Sequence, residues 1–159
     1  MKHKKIVGLD LGDKFSYACV LDADTGEVIK EKRIVTRASC LATFFAGQPA
    51  MLIAVETGTH SPWISRLLES FGHKVLVANA RKVRLVYGGD RKSDKLDAQK
   101  LARLARFDLK LLSPIQHRSE EGQAHLSLIR SRDALVGSRI SLVNHVRGSV
   151  KAFGARLPV

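Results

Sequence analysis

Apolar positions in the first third of the chain fall into short runs, each closed by a turn signal. Residues 5–11 form an apolar strand ending in an acid and a glycine, and Gly12-Asp13-Lys14 turns the chain into a second strand at 15–21. Asp22-Ala23-Asp24-Thr25-Gly26 is the next turn, and residues 27–35 form a third strand. Strands joined by turns this short predict an antiparallel meander, because parallel neighbours need a long crossover.

The period then changes. Residues 39–46 predict a short helix capped by Ser39. Residues 51–56 are a buried strand ending in an acid. Ser61-Pro62 opens a helix running to about Ser70, with Ser61 as cap and Pro62 in the first helical position, and Gly72 stops it. Residues 74–78 form another strand. Strands alternating with helices predict a parallel extension of the sheet. Residues 79–86 predict a short helix, and Gly88-Gly89-Asp90 predicts a loop. Ser93 caps a strong helix from Asp94 to about Phe107, with Leu96, Leu101, Leu104 and Ala105 on its apolar side. Beyond the Ser113-Pro114 break, residues 119–153 are helical. Gly122, Gly137 and Gly148 weaken that segment and predict breaks or a helical hairpin. The expected organisation is a sheet domain over 1–114 and a helical extension over 115–159.

Charge sharpens the picture. Lys and Arg number 27 against 15 Asp and Glu, a formal net charge of +12. Such an excess points to a polyanionic partner, usually nucleic acid. Its densest group is Arg81, Lys82, Arg84, Arg91, Lys92 and Lys95, read as a phosphate-contacting surface. Arg130, Arg132, Arg139 and Arg147 fit a solvated face as well as they fit RNA or DNA contact. No apolar run reaches the roughly 18 residues of a membrane span, and Asp10 interrupts the run that follows the basic N-terminus. Cys19 and Cys40 have neither zinc spacing nor the density of a disulfide scaffold, which fits a reduced cytoplasmic protein.

The candidate chemistry lies in four acids. Asp10 and Glu56 each end an apolar strand, where a carboxylate is costly unless something pairs with it. Two such strands side by side would set their carboxylates against each other unless a cation sits between them. Asp94 and Asp97 are three apart on one helix face, in the first turn, where the helix dipole favours acids in any case. Together the four suit Mg²⁺ or Mn²⁺, which prefer oxygen ligands, in a two-ion arrangement with the ions about 4 Å apart for attack on a phosphodiester.

The strand Gly8-Leu9-Asp10-Leu11-Gly12, the strand end Ala54-Val55-Glu56-Thr57-Gly58 and the segment Lys92-Ser93-Asp94-Lys95-Leu96-Asp97-Ala98 resemble the DEDD-type insertion-sequence transposases. Relatives of these are the Piv-type DNA invertases and, more distantly, the RuvC Holliday-junction resolvases. The resemblance runs from about Lys5 to Val159, and Asp10, Glu56, Asp94 and Asp97 match the family's acids in order and setting. It implies an α/β RNase H-like (RuvC-like) mixed sheet flanked by helices and followed by a helical segment. It implies metal-dependent DNA strand cleavage and exchange through a four-way-junction-like intermediate, guidance by a structured bridge RNA, and work on DNA in the cytoplasm at the nucleoid. It also implies a C-terminal domain with a nucleophilic serine, which the sequence ending Leu157-Pro158-Val159 does not include, so the expectation is an N-terminal portion incomplete for strand exchange. Separately, the apolar positions beyond Ser119 exceed what one amphipathic helix can hide and predict a helical hairpin that mediates self-association.

Three rivals remain open. The Gly8–Gly12 pattern also opens the phosphate loop of actin-like and sugar-kinase-like ATPases, but no second glycine-rich phosphate loop follows. A stand-alone resolvase-like nuclease fits the length. A nucleic-acid-binding module without catalysis fits the charge. Among weaker signals, residues 57–60 fit a plain strand-to-helix turn better than a phosphate loop. Trp63 reads as core or interface, Tyr87 with Gly88-Gly89 as a flexible loop, and His60, His73, His125 and His145 as local surface or capping residues.

Overall fold

The computed structural model describes residues 3–82 and 93–158, in two compact units, Met1–Gln116 and His117–Val159. In the first unit, strands β1 (Lys5–Asp10), β2 (Phe15–Asp22) and β3 (Val28–Val35) form the antiparallel meander. Helix α1 (Ala38–Phe45) leads to β4 (Leu52–Glu56), and α2 (Ser61–Ser70) to β5 (Lys74–Ala78), both strands running parallel to β1. The sheet order is β3-β2-β1-β4-β5. This mixed sheet, antiparallel on one side and parallel on the other with helices on both faces, is the RNase H-like architecture expected from the sequence.

Strand alternation divides the core. Val7, Leu9, Ile53, Val55 and Val77 turn to one face, where they pack with Leu41 and Phe45 of α1 and Ile64 and Leu68 of α2. Ile6, Leu52, Ala54 and Ala78 turn to the other, beneath helix α3 (Asp94–Phe107) and its Leu101, Leu104 and Ala105. Helix α3 lies very close to the sheet. A Cβ at Gly8 would stand 2.5 Å from the amide nitrogen of Ala102 and closer still to the Ala98 carbonyl oxygen, so only glycine admits the helix there. A 3₁₀ turn (Leu109–Leu112) follows, and Ser113 in the left-handed region (φ 42°) turns the chain back so that Ile115 bridges to Val77.

The buried positions of α3 are Ala98, Leu101, Ala102, Leu104 and Ala105, while Leu96 is exposed. Leu96 therefore does not belong to the apolar side as expected. The stripe recurs at three- and four-residue intervals from Ala98, and Leu96 sits off it. Two caps also differ. Ser39 lies inside α1, which starts behind Arg37 with no side-chain cap, and the Ser39 carbonyl accepts from the Thr43 hydroxyl. Ser61 is the first residue of α2 rather than its cap, and its hydroxyl instead closes the preceding turn on Gly58. Ser93 does occupy the N-cap of α3, with extended backbone but no side-chain bond. Gly72, at φ 84°, follows α2 as the stop signal requires. Residues 80–82 are helical; the rest of the helix expected to 86, Tyr87 and the Gly88-Gly89 loop lie outside the described residues.

His73, read as a surface or capping residue, is buried. Its Nδ1 accepts from the Met51 amide and its Nε2 donates to the Phe45 carbonyl, tying α1, β4 and β5 together. Cys19 is buried under α3, and burial, with the Glu31 carboxylate second, pushes its thiol up to about 11, which makes it inert. Cys40 is half-buried, and both cysteines are free.

The second unit is built on one continuous helix, α4 (Glu120–Lys151), with Ser119 as its N-cap accepting from the Gly122 amide. The expected break or hairpin is absent. Glycine in a helix interior costs about 1 kcal/mol relative to alanine but does not force a turn, and no proline interrupts residues 120–151. Helix α4 buries none of its residues and leaves Leu128, Ile129, Leu135, Ile140 and Leu142 exposed.

Candidate functional site

The acids are positioned by the sheet and by one helix end. Strands β1 and β4 pair in parallel with Leu9 opposite Val55, so Asp10 and Glu56 follow as the next residues in register. Neighbouring strands lie about 4.8 Å apart, and residues abreast in a parallel pair project to the same face. That face is the one under α3, because Gly8, two residues before Asp10, meets Ala98 and Ala102 of α3. Both carboxylate residues are half-buried.

Helix α3 brings the other two acids to the same edge. Gly8 lies under Ala98 and Ala102, whereas Ile6 packs in one cluster with Leu101, Leu104 and Ala105. Moving toward the N-terminus of α3 therefore moves toward the C-terminal edge of β1 and β4. Asp94 and Asp97 stand one turn before Ala98 and Leu101, so they continue the sheet-facing stripe past the edge. Asp97 is half-buried and pairs with Lys100 at 3.3 Å, and Asp94 is exposed.

The four acids thus share one edge. They are not gathered into one cluster: among the described residues, no group of three or more His, Cys, Asp or Glu stands close enough to hold a metal ion. The donor chemistry, oxygen throughout, fits Mg²⁺ or Mn²⁺, with Asp10 and Glu56 side by side as its nucleus. Like charges on a shared edge repel, and the Lys100 ammonium supplies an internal counter-charge to Asp97.

The expected basic group divides. Arg81 and Lys82 are exposed beyond β5, whereas Arg84, Arg91 and Lys92 lie outside the described residues. Lys95 is engaged within the protein. Its Nζ lies 2.6 Å from the Glu31 carboxylate of β3, and Gln99 Nε2 donates to the other Glu31 oxygen at 2.5 Å. Lys95, with Gln99 second, holds the Glu31 carboxyl below the usual carboxylate range, and Glu31 raises Lys95 in return. This clamp joins β3 to the first turns of α3, the segment that carries Asp94 and Asp97. Sequence spacing gives no sign of it, since Glu31 and Gln99 are 68 residues apart.

A second constellation also escapes the sequence. His60 bonds Asp13 through one ring nitrogen and Trp63 through the other. Only the three-residue step from His60 to Trp63, one helical turn, is visible along the chain.

Residues 7–154 match the IS110-type DEDD transposase family. The chain belongs to this family. It is 28% identical to the transposase for insertion sequence element IS1328 of Yersinia enterocolitica, over 99% of this chain and 46% of that protein. It is 29% identical to the transposase for insertion sequence element IS1111A of Coxiella burnetii, over 97% of this chain and 41% of that protein. A probable family 20 transposase of Pseudomonas aeruginosa shares 32% identity over 93% of this chain and 42% of its own length. The chain spans under half the length of these curated relatives. Among solved structures, T. thermophilus RuvC in complex with Holliday junction substrate aligns over 67% of this chain and 98% of its own, at 13% identity and a TM-score of 0.47. No described helix of this family member is long and apolar enough to cross a membrane.

Proposed function

We propose that this chain is the nuclease part of an insertion-sequence transposase, with Asp10, Glu56, Asp94 and Asp97 as the ligands of Mg²⁺ or Mn²⁺ and DNA as its substrate in the cytoplasm. The observation that carries this reading is the register of β1 and β4, which sets Asp10 and Glu56 abreast at the edge toward which α3 directs Asp94 and Asp97. A divalent ion bound there would supply Lewis-acid polarisation of a phosphodiester. The chain's own part is to hold the acids: Gly8 seats α3 on β1, and the Glu31 clamp on Lys95 and Gln99 fixes its first turns. The test is a calorimetric Mn²⁺ titration of the chain beside Asp10→Asn and Glu56→Gln; equal affinity in all of them overturns the assignment.

The net charge of +12 supports nucleic-acid partners, with DNA cut and a structured bridge RNA as guide. Arg81 and Lys82, exposed where the chain leaves β5, are the phosphate-contacting residues of this reading. Changing both to alanine is expected to weaken DNA binding and to reduce the slope of log K against log salt by about 2, one unit for each phosphate no longer neutralised. An unchanged slope moves the binding surface elsewhere.

The exposed apolar residues of α4 support self-association, because a lone helix leaves them in water. Sedimentation equilibrium is expected to show a dimer that Leu135→Lys with Ile140→Lys dissociates. A wild-type chain that stays monomeric at high concentration refutes the dimer. A second reading, nucleic-acid binding without cleavage, draws on the looser spacing of the acids, and the Mn²⁺ titration separates the two.

A further inference from the structure

Two loops leave the sheet at its acid-bearing edge: residues 11–14 follow Asp10, and residues 57–60 follow Glu56. They meet at His60, whose Nε2 lies 3.1 Å from Asp13 Oδ1 while its Nδ1 lies 3.1 Å from Trp63 Nε1. An indole N–H can only donate, so Nδ1 accepts and the ring proton of the neutral imidazole sits on Nε2. The two sides of the ring are held very differently. Trp63 is packed against the main core and meets the imidazole edge-on, at 6.1 Å between ring centroids. Asp13, by contrast, has 92% of its side chain exposed, against 28% for His60. A hydrogen bond to so exposed a carboxylate adds little net stability, because water competes for both groups. The ring is therefore fixed from the protein side, and its Nε2–H points at an acceptor that exchanges easily.

We propose that His60 is a phosphodiester-contacting residue. Its Nε2–H donates to a phosphate oxygen of the nucleic-acid strand lying across this edge, and Asp13 occupies the donor when no strand is bound. The inference rests on the proposed function, which sets a nucleic acid at the acid edge. Carboxylate and phosphate oxygens are equivalent acceptors for an imidazole N–H. Two anions then compete for one donor, so Asp13 opposes binding. A loop staple predicts the opposite sign, since removing Asp13 would loosen the edge and weaken binding.

A double-mutant cycle separates the two. Affinities are measured for fluorescein-labelled DNA and RNA duplexes of about 20 base pairs, long enough to span many phosphates, at one fixed salt concentration. His60→Ala is expected to weaken binding about tenfold, in line with a hydrogen bond to a charged group. His60→Gln, which keeps an N–H near the position of Nε2, should recover part of the loss. Asp13→Ala should tighten binding several-fold, and the gain should vanish in the His60→Ala background. Asp24→Asn, an exposed acid in the β2–β3 turn at the other end of the sheet, measures the generic effect of removing one negative charge. Trp63→Phe should weaken binding and release the Nε2–H tautomer, a change that ¹⁵N NMR of the imidazole would read. Coupling with either duplex supports the contact and identifies its strand. Weaker binding in Asp13→Ala overturns the proposal, as does an equal gain in both His60 backgrounds. If Mn²⁺ affinity proves indifferent to Asp10 while the coupling persists, the metal assignment falls and the phosphate contact stands.

Discussion

Gly8→Ala is expected to destabilise the sheet unit by about 3 kcal/mol or more, at or above the top of the range for overpacked cores. The reason is what the new methyl would strike. It would meet the Ala98 carbonyl oxygen and the Ala102 amide nitrogen, both backbone atoms of α3, rather than the end of a side chain that can swing away. Relief requires the helix to lift from β1. Lifting exposes Leu101 and Ala102, which are almost fully buried, and forfeits roughly 25 cal/mol for each Å² of apolar surface returned to water. Denaturant unfolding reads the loss as a lower midpoint at unchanged slope. A shift under about 1 kcal/mol would mean that α3 does not sit on β1 as described. The same variant should weaken Mn²⁺ binding, because the helix that lifts carries Asp94 and Asp97.

The second large effect concerns Asp10. The wild-type chain at a Mn²⁺ concentration 100 times its Kd is expected to gain about 2.7 kcal/mol of stability, since an ion that binds only the folded state adds RT ln(1 + [L]/Kd). Asp10→Asn removes a carboxylate from the central pair. Losing a group that merely orients a ligand costs about 10- to 100-fold in metal affinity, so losing the ligand itself should cost more than about a hundredfold. At the same Mn²⁺ concentration the variant's gain then shrinks to less than about 0.5 kcal/mol. Unfolding in chelator provides the baseline, because it reports the fold without the ion. An Asp10→Asn chain that Mn²⁺ stabilises as much as the wild type would remove Asp10 from the site. Glu56→Gln is expected to behave alike, being the other half of the pair.

Much of this fold could be read along the chain because its determinants are local. Alternation over a few residues, Gly12, Gly26 and Gly72 in turns, and Pro62 at a helix start each act within one turn of backbone. They yielded the succession of strands, the antiparallel start and the parallel extension. The candidate acids were legible too, because Asp10 and Glu56 interrupt apolar strands, and the spacing of Asp94 and Asp97 follows from helical geometry alone.

Where local pattern misled, a tertiary contact or its absence decided. Leu96 is as apolar as Leu101, but it lies off the stripe of α3 that is buried against the sheet. Ser39 and Ser61 are good capping residues, yet the helices start two and one residues earlier, and the Ser61 hydroxyl closes the turn on Gly58 instead. The glycines of α4 suggested a hairpin, but weak propensity does not create a turn.

The remaining features lay between residues far apart. Lys95 was legible as a member of a basic group, but its ion pair with Glu31 of β3 was not. Asp13 and His60 are 47 residues apart and meet only because β1 and β4 are neighbours. By itself the sequence determined the succession of strands and helices along the chain, and which acids are out of place in an apolar strand. Only the tertiary structure decided which charges are already spent on one another and which side chains share an edge, because that depends on strand order and helix placement, and neither is encoded in any local period.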